Sequence, residues 1–334
     1  MIGRNGSTVL LVAVCLGARL AAEGRKVETL ELHRGDLRVV LRDNARSPAV
    51  LSGVQSLFHA VTPDFDAFDP DARGASAGLN FEHIIAGHHN PANKFSPRHG
   101  RYDLYALEDG RSAALIRRRE DSPWDVSSSL TYTLAAPHAI DIAFRATPHS
   151  SDLFGRRGHA IFFFASYMND VEEVPIRFRG IESADAPESW IAADAPEGQP
   201  DWNGGGTYRH RDARTLAVDD ELEFRLNSWS YDYPRYTQPF YYGRAARGMV
   251  LILMFDRAHT PDDEIRFSLF KFKLPRAPRP AWDFQYVIHR VVEGREYGFR
   301  ARLVWKEWVS PEDCLAEYSR WAKSLEREAA SGTE

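Results

Sequence analysis

The chain has 334 residues, of which 43% are hydrophobic, and it carries a net charge of −5 at pH 7. This length is enough for one large domain with an extensive core, and the acidic balance argues against nucleic-acid binding, which uses basic surfaces. After the N-terminal segment, no apolar run is long enough to cross a bilayer as a helix, so we expect no integral membrane span in the mature chain.

The first 22 residues have the pattern of an export leader. Arg4 gives a positive start, residues 8–17 form a short apolar run, and Ala21 and Ala22 supply small residues near the exit. A buried first strand or an uncleaved anchor is the alternative. We expect a signal peptide over residues 1–22, a single β-sandwich domain over residues 23–330 and a secreted or periplasmic location.

Alternating apolar and polar residues predict strands along most of the remaining chain. Turn signals at Gly35 and Gly110 predict two hairpins, and a third hairpin is expected to join the last two strands through Glu293 and Gly294. The predicted strands cover residues 27–32, 37–41, 102–107, 113–117, 130–134, 140–144, 159–164, 176–179, 222–226, 249–255, 265–272, 282–291 and 297–305.

One helix is predicted at the C-terminus, over residues 310–325. Ser310 suits the N-cap and Pro311 the first helical position, and the apolar residues that follow fall on one face. Many strands and a single helix predict an all-β fold, a large antiparallel β-sandwich with a C-terminal helix. The polar segments at residues 64–77 and 184–206 are expected to be long loops.

The first group of chemically interesting residues contains Asn80, Glu82 and His83. Strict alternation in a strand would put Asn80 and Glu82 on one face and His83 on the other, so Glu82 and His83 would not form a local pair. Three more histidines and Arg98 follow before residue 100. This group can be a sugar site, a metal site or a purely structural cluster.

The second group follows three glycines at residues 204–206. The glycines predict a mobile or sharply turned loop, which would present Trp202, Tyr208 and His210 to a sugar, since aromatic faces stack on sugars and histidines bind hydroxyls. A solvated surface loop is the alternative.

The remaining groups lie towards the C-terminus. Six Trp or Tyr residues between positions 229 and 242 suggest a cleft wall that includes Tyr242, or else packing at a sheet edge. Asp283 and Gln285 share one strand face, and Arg300 and Arg302 share another. The two arginines are expected either to pair with Asp283 or to bind an anionic substrate.

Several short stretches resemble a family of uncharacterised exported bacterial proteins. They lie at residues 79–84, 95–98, 165–168, 239–243, 282–285 and 297–302. The resemblance implies a galactose-mutarotase-like β-supersandwich, a scaffold common among carbohydrate-active proteins. The Asn-Arg motif of true aldose epimerases is not found, so simple mutarotation is not expected.

Together these features predict an exported protein that acts on a poly- or oligosaccharide, as a polysaccharide lyase or a glycoside hydrolase. The alternative is a non-catalytic carbohydrate-binding or surface-associated module. A hydrolase would use two carboxyl groups out of Glu82, Asp256 and Asp283, and a lyase would use acid, base and charge-neutralising groups. No metal and no cofactor are assigned. The predicted catalytic residues are Glu82, His83, Tyr167 and His210, and the predicted substrate-binding residues are Arg98, Trp202, Tyr208, Tyr242, Asp283, Gln285 and Arg300. Eight of these residues are expected to lie around one depression: Glu82, His83, Arg98, Tyr167, Tyr208, His210, Tyr242 and Arg300.

Overall fold

The computed structural model describes residues 24–46, 51–69, 78–87, 100–194, 204–216, 232–271 and 279–331. Within these ranges the strands are, in chain order, β1 (Gly24–Val27), β2 (Thr29–Arg34), β3 (Leu37–Arg42), β4 (Gly53–His59), β5 (Leu79–Ala86), β6 (Asp103–Leu107), β7 (Ser112–Arg117), β8 (Val126–Ala135), β9 (Ala139–Pro148), β10 (Ala160–Ser166), β11 (Ile176–Ile181), β12 (Ser189–Ala193), β13 (Gly204–Tyr208), β14 (Arg235–Tyr236), β15 (Phe240–Ala245), β16 (Met249–Phe255), β17 (Asp263–Lys271), β18 (Pro280–Ile288) and β19 (Tyr297–Glu307). Two short 3-10 helices, Arg119–Asp121 and Asp152–Phe154, and the α-helix α1 (Pro311–Ser331) complete the described secondary structure.

The strands form two large antiparallel sheets. The eleven-stranded sheet has the order β1-β6-β7-β8-β9-β19-β16-β15-β11-β12, with β14 also paired to β11. The eight-stranded sheet has the order β13-β17-β18-β10-β5-β4-β3-β2. The predicted all-β sandwich with a C-terminal helix is therefore confirmed, and most predicted strands lie within a few residues of the observed ones.

The main core fills the space between the sheets and is rich in aromatic rings. Phe164 and Phe284 from the eight-stranded sheet stack at 4.7 Å between ring centroids. Phe299 from the eleven-stranded sheet meets Phe164 edge to face at 5.4 Å. Because neighbouring residues of a strand point to opposite faces, Asp283 and Gln285 lie on the outer face of the eight-stranded sheet while Phe284 lies in the core.

Helix α1 covers the outer face of the eleven-stranded sheet. Ser310 Oγ caps the helix by accepting a 3.2 Å hydrogen bond from the backbone N of Asp313, as predicted. Cys314 and Trp321 of the helix pack with Phe240 and Tyr242 in a second apolar cluster. In the described part of the chain, no helix combines the length and the apolar character needed to span a membrane.

Three predictions about the strands and loops are wrong. The segment at residues 184–206 is not one long loop, since β12 and the start of β13 lie in it. β18 and β19 do not form a hairpin, since each belongs to a different sheet and the connection through Gly294 crosses the sandwich. The three glycines at residues 204–206 are not a loop but part of β13, which pairs with β17. The predicted leader and the predicted strand at residues 222–226 lie outside the described residues.

Candidate functional site

A β-bulge brings Glu82 and His83 to the same face of the eight-stranded sheet. In the pairing of β5 with β10, His83 is opposite Phe163 and Phe81 is opposite Phe164, so Glu82 is an extra residue in β5. Such a bulge breaks the strict alternation of side chains. The prediction that Glu82 and His83 would not form a local pair is therefore wrong.

Tyr167, Glu82 and His83 form a compact acid–base cluster on this outer face. The Tyr167 hydroxyl donates a 2.7 Å hydrogen bond to Oε1 of Glu82. Nε2 of His83 is 3.6 Å from the same carboxylate oxygen. Glu82 and His83 are 3% and 4% exposed, whereas Tyr167 is partly exposed. A proton can therefore pass between the surface hydroxyl and the buried carboxylate along one short path.

Asp283 adds a second carboxyl group to this face. It is fully buried, and burial raises the pKa of Asp283 well above its usual range. The hydrogen bond that the Asp283 carboxylate accepts from the backbone N of Ser166, at 2.9 Å, lowers this pKa, while the nearby charge of Glu82 raises it. Burial therefore favours the protonated form of the Asp283 carboxyl group.

A row of side chains continues from His83 across the sheet. Phe163 lies opposite His83 and Gln285, and Arg266 lies opposite Gln285. Oε1 of Gln285 is buried and has no hydrogen-bond partner among the described residues. Native proteins seldom leave such an atom unpaired, and Gln285 is 0% exposed, so this acceptor lies beneath the surface of the sheet.

One buried ion pair on this face was not predicted from the sequence. Nε of Arg266 donates a 2.6 Å hydrogen bond to Oε1 of Glu264, and both side chains are at most 3% exposed. The available signal was the alternation of Glu264 and Arg266 with the apolar residues Ile265 and Phe267 in a predicted strand.

His210 does not join the acid–base cluster. It follows β13 at the edge of the sheet, and four strand spacings, or about 19 Å, separate β13 from β5. Its ring lies against Tyr236, with 5.3 Å between the centroids. Burial lowers the pKa of His210, and the charge of His259 lowers it further. The predicted role of His210 beside Glu82 is therefore wrong.

Tyr208 and Tyr242 are core residues and do not line a cleft. Tyr208 packs against Phe178 at 5.5 Å between ring centroids and donates a hydrogen bond to the backbone O of Asp194. Tyr242 lies on the outer face of the eleven-stranded sheet, among the apolar residues that face α1. The prediction that both bind substrate is wrong. Aromatic residues suit a core and a sugar-binding surface equally well, so their presence in the sequence does not distinguish the two.

The two arginines of β19 pair with acidic residues beside the eleven-stranded sheet and not with Asp283. Arg302 makes two hydrogen bonds to Asp141, at 2.7 and 2.8 Å. Arg300 donates a 2.7 Å hydrogen bond to Glu328 of α1. The predictions that they pair with Asp283, and that Arg300 belongs to the site, are wrong because β19 and β18 lie in different sheets.

Of the other predicted residues, one lies on the other sheet and two lie outside the described residues. Asp256, the third carboxyl candidate, follows β16 of the eleven-stranded sheet and lies 3.4 Å from Nε of Arg257. Arg98 and Trp202 lie outside the described residues. Of the predicted site residues, the structure brings together Glu82, His83, Tyr167, Asp283 and Gln285.

Solved structures similar to this chain include three carbohydrate-related proteins. An aldose epimerase homologue from C. elegans has a TM-score of 0.43 and 9% identity, over 85% of this chain and 100% of that one. A galactose 1-epimerase from Lactobacillus acidophilus has a TM-score of 0.37 and 7% identity, over 86% and 100%. A heparan sulfate lyase from Pedobacter heparinus has a TM-score of 0.41 and 8% identity, over 84% and 35%.

No protein-family model and no curated protein sequence matches the chain. Two of the three structures are described as an aldose epimerase homologue and a galactose 1-epimerase, whereas the sequence resemblance implied the fold of such proteins and not their activity. At these identities and TM-scores, the similarities assign neither an activity nor a substrate to this chain.

Proposed function

We propose that this chain is an exported enzyme that cleaves a poly- or oligosaccharide with Tyr167, Glu82 and His83 as its proton-transfer group. The observation that carries the proposal is the 2.7 Å hydrogen bond from the Tyr167 hydroxyl to Glu82, with His83 3.6 Å from the same oxygen. A hydroxyl, a carboxylate and an imidazole within reach of one another are the parts that general acid–base catalysis needs.

Elimination is the reaction that these groups fit best. In a uronic-acid polymer, the Tyr167 oxygen, having passed its own proton to Glu82, removes the proton on C5 as the C4–O bond breaks and the C4–C5 double bond forms. The leaving glycosidic oxygen takes up this proton from Tyr167, and Glu82 returns the first proton to the tyrosine oxygen. Tyr167 is partly exposed and is the member that meets the sugar, while Glu82 exchanges the proton with its hydroxyl. Oε1 of Gln285 lies on the same face and can accept a hydrogen bond from a substrate hydroxyl.

Hydrolysis is the second candidate, and the raised pKa of Asp283 favours it. A glycoside hydrolase uses one protonated and one ionised carboxyl group. Asp283 has a pKa well above its usual range, in part because of the charge of Glu82. Asp283 would then donate a proton to the leaving oxygen, and Glu82 would act as nucleophile or base.

A panel of neutral and uronate-containing polysaccharides tests the proposal. The secreted full chain is incubated with each one, and new reducing ends and the ultraviolet absorbance of unsaturated uronates are both measured. Both signals together indicate elimination, and reducing ends alone indicate hydrolysis. Binding to a polysaccharide with neither signal would reject the enzyme and leave the non-catalytic binding module.

A further inference from the structure

Two loops at the edge of the eight-stranded sheet bring two imidazoles and a carboxylate together. His210 and Asp212 follow β13, and His259 lies between β16 and β17. One nitrogen or carboxylate oxygen from each of the three side chains lies within 4.8 Å of the other two. Nδ1 of His210 is 3.7 Å from Oδ2 of Asp212. The ring centroids of His210 and His259 are 5.0 Å apart.

These separations approach those of a tetrahedral metal site. Ligand atoms bonded to a zinc ion at about 2.0–2.2 Å lie roughly 3.3–3.5 Å from one another, so small side-chain rotations complete the site. Two imidazole nitrogens favour zinc and neighbouring transition metals over Ca²⁺ and Mg²⁺, which prefer oxygen ligands. We propose that His210, Asp212 and His259 bind one divalent cation of the zinc class.

The surroundings let a cation enter. Asp212 and His259 line a cavity of about 210 Å³, whose wall also includes Arg214 and His289. Three protein ligands leave one position of a tetrahedral ion for water or for a bound molecule. Nδ1 of His210 accepts a 3.2 Å hydrogen bond from the backbone N of Asp212, and this is the bond that metal binding at Nδ1 would replace.

A second group of possible ligands is less suitable. Asp36, His59 and His138 also have ligand-type atoms within 4.8 Å of one another. However, Nε2 of His138 is 3.2 Å from Oε1 of Glu317, where a cation would have to displace an existing ion pair. We therefore assign the cation to the group around His210.

The proposed metal site is independent of the proposed catalytic function. The strand β13, which precedes His210, is about 19 Å from β5, which carries Glu82. A cation here would tie the loop after β13 to the loop before β17. Its binding is measured without any sugar substrate, so failure of the metal proposal and failure of the enzyme proposal are distinguishable.

Calorimetric titration of the full chain with Zn²⁺, after removal of metals with a chelator, tests the assignment. We expect one Zn²⁺ per chain, no heat with Ca²⁺ at the same concentration, and a thermal midpoint that rises with Zn²⁺. His259→Ala and Asp212→Asn should each weaken Zn²⁺ binding at least tenfold. Asp212 is exposed, so its variant retains the fold even where the histidine variant does not.

The matched control is His138→Ala, which removes one histidine from the second group. It should bind Zn²⁺ with the wild-type affinity. Absence of one-to-one binding, or wild-type affinity in Asp212→Asn, would overturn the proposal. Loss of binding in His138→Ala instead would move the site to Asp36 and His59 and would also overturn it.

Discussion

Glu82 and His83 are neighbours in the sequence and still reach the same face of the sheet. The extra residue in β5, opposite the step from Phe163 to Phe164 on β10, is the physical cause, because a bulge turns a side chain that alternation would send into the core. The bulge therefore places a carboxylate beside an imidazole, and β10 ends one residue before the tyrosine that donates to that carboxylate.

The raised pKa of Asp283 has a consequence for stability. Burial raises its pKa well above the usual range, so the native protein keeps a proton that the unfolded chain releases near about pH 4. Its contribution to stability is complete below that pH and is lost as the pH rises. We expect the free energy of unfolding of the wild type, relative to Asp283→Asn, to decrease as the pH rises above about 4.

Urea unfolding of both proteins at several pH values measures this difference, and the other titrating groups cancel in the comparison. Asn can still accept the hydrogen bond from the backbone N of Ser166. A difference that does not change with pH would show that the pKa of Asp283 is not raised in the native protein.

At the scale of elements, the attachment of α1 depends on a half-buried charge network. Glu317 of the helix lies 3.1 Å from Nζ of Lys306 on β19 and 3.2 Å from Nε2 of His138. Burial alone would raise its pKa, but hydrogen bonds from His138 and Lys306 lower the pKa of Glu317 to about 2. This stabilisation is complete above the unfolded value of 4.5 and is lost as the pH falls towards about 2.

Replacing Glu317 with Gln should therefore lower the free energy of unfolding at pH 7 by roughly 1–3 kcal/mol. The effect should shrink below about pH 3, where the wild-type carboxylate also takes up a proton. Chemical unfolding at pH 7 and at low pH checks both statements. Glu326→Gln, at an exposed position of the same helix, is the control and should change stability little. Equal effects of the two substitutions would contradict the network.

The strands could be predicted from the sequence because burial of one face gives alternating apolar residues and burial of both faces gives a continuous apolar run. β16 is predicted and observed at Met249–Phe255. The partners of the strands could not be predicted, since alternation does not say which sheet a strand joins, and this is why Arg300 was misplaced. The glycines of β13 also mislead, because glycine is typical of loops but here lies buried in a sheet.

The candidate site could be predicted only in part for the same reason. Asp283 and Gln285 share a face by simple alternation, and the structure confirms this. The contact between Tyr167 and Glu82 forms because β5 and β10 are adjacent in the eight-stranded sheet, although they are far apart in the chain. Aromatic residues such as Tyr242 carry no sequence signal that separates a core position from a binding surface.

At the scale of the whole molecule, the two sheets meet at the tips of two hairpins. The backbone N of Asp36, between β2 and β3, donates a 2.7 Å hydrogen bond to the backbone O of Pro137, between β8 and β9. Gly35 has a φ of +57°, and a Cβ added there would lie 2.2 Å from the Pro137 O atom. Only glycine allows this close approach of the two sheets.

Gly35→Ala should therefore destabilise the protein more than Gly110→Ala does. Gly110 has a φ of +68° but nothing within 4 Å of an added Cβ, so its replacement costs only the left-handed conformation, about 1–2 kcal/mol. Gly35→Ala adds the clash with Pro137, and we expect at least twice that loss. Thermal or urea unfolding compares the two variants, and equal losses would mean that the hairpin tips do not hold the sheets together.

The central claim is that the Tyr167–Glu82–His83 cluster transfers the proton in cleavage of a carbohydrate. The most direct measurement is kcat/KM of Glu82→Gln on the polysaccharide that the wild type cleaves, with Asp256→Asn as the matched control on the other sheet. Gln keeps an oxygen for the Tyr167 hydrogen bond but cannot take up the proton. We expect a loss of about 10²–10⁴-fold for Glu82→Gln, an unchanged control, and a similar thermal midpoint. Activity within about threefold of wild type in Glu82→Gln would contradict the claim, since loss of a true proton-transfer group has a far larger effect.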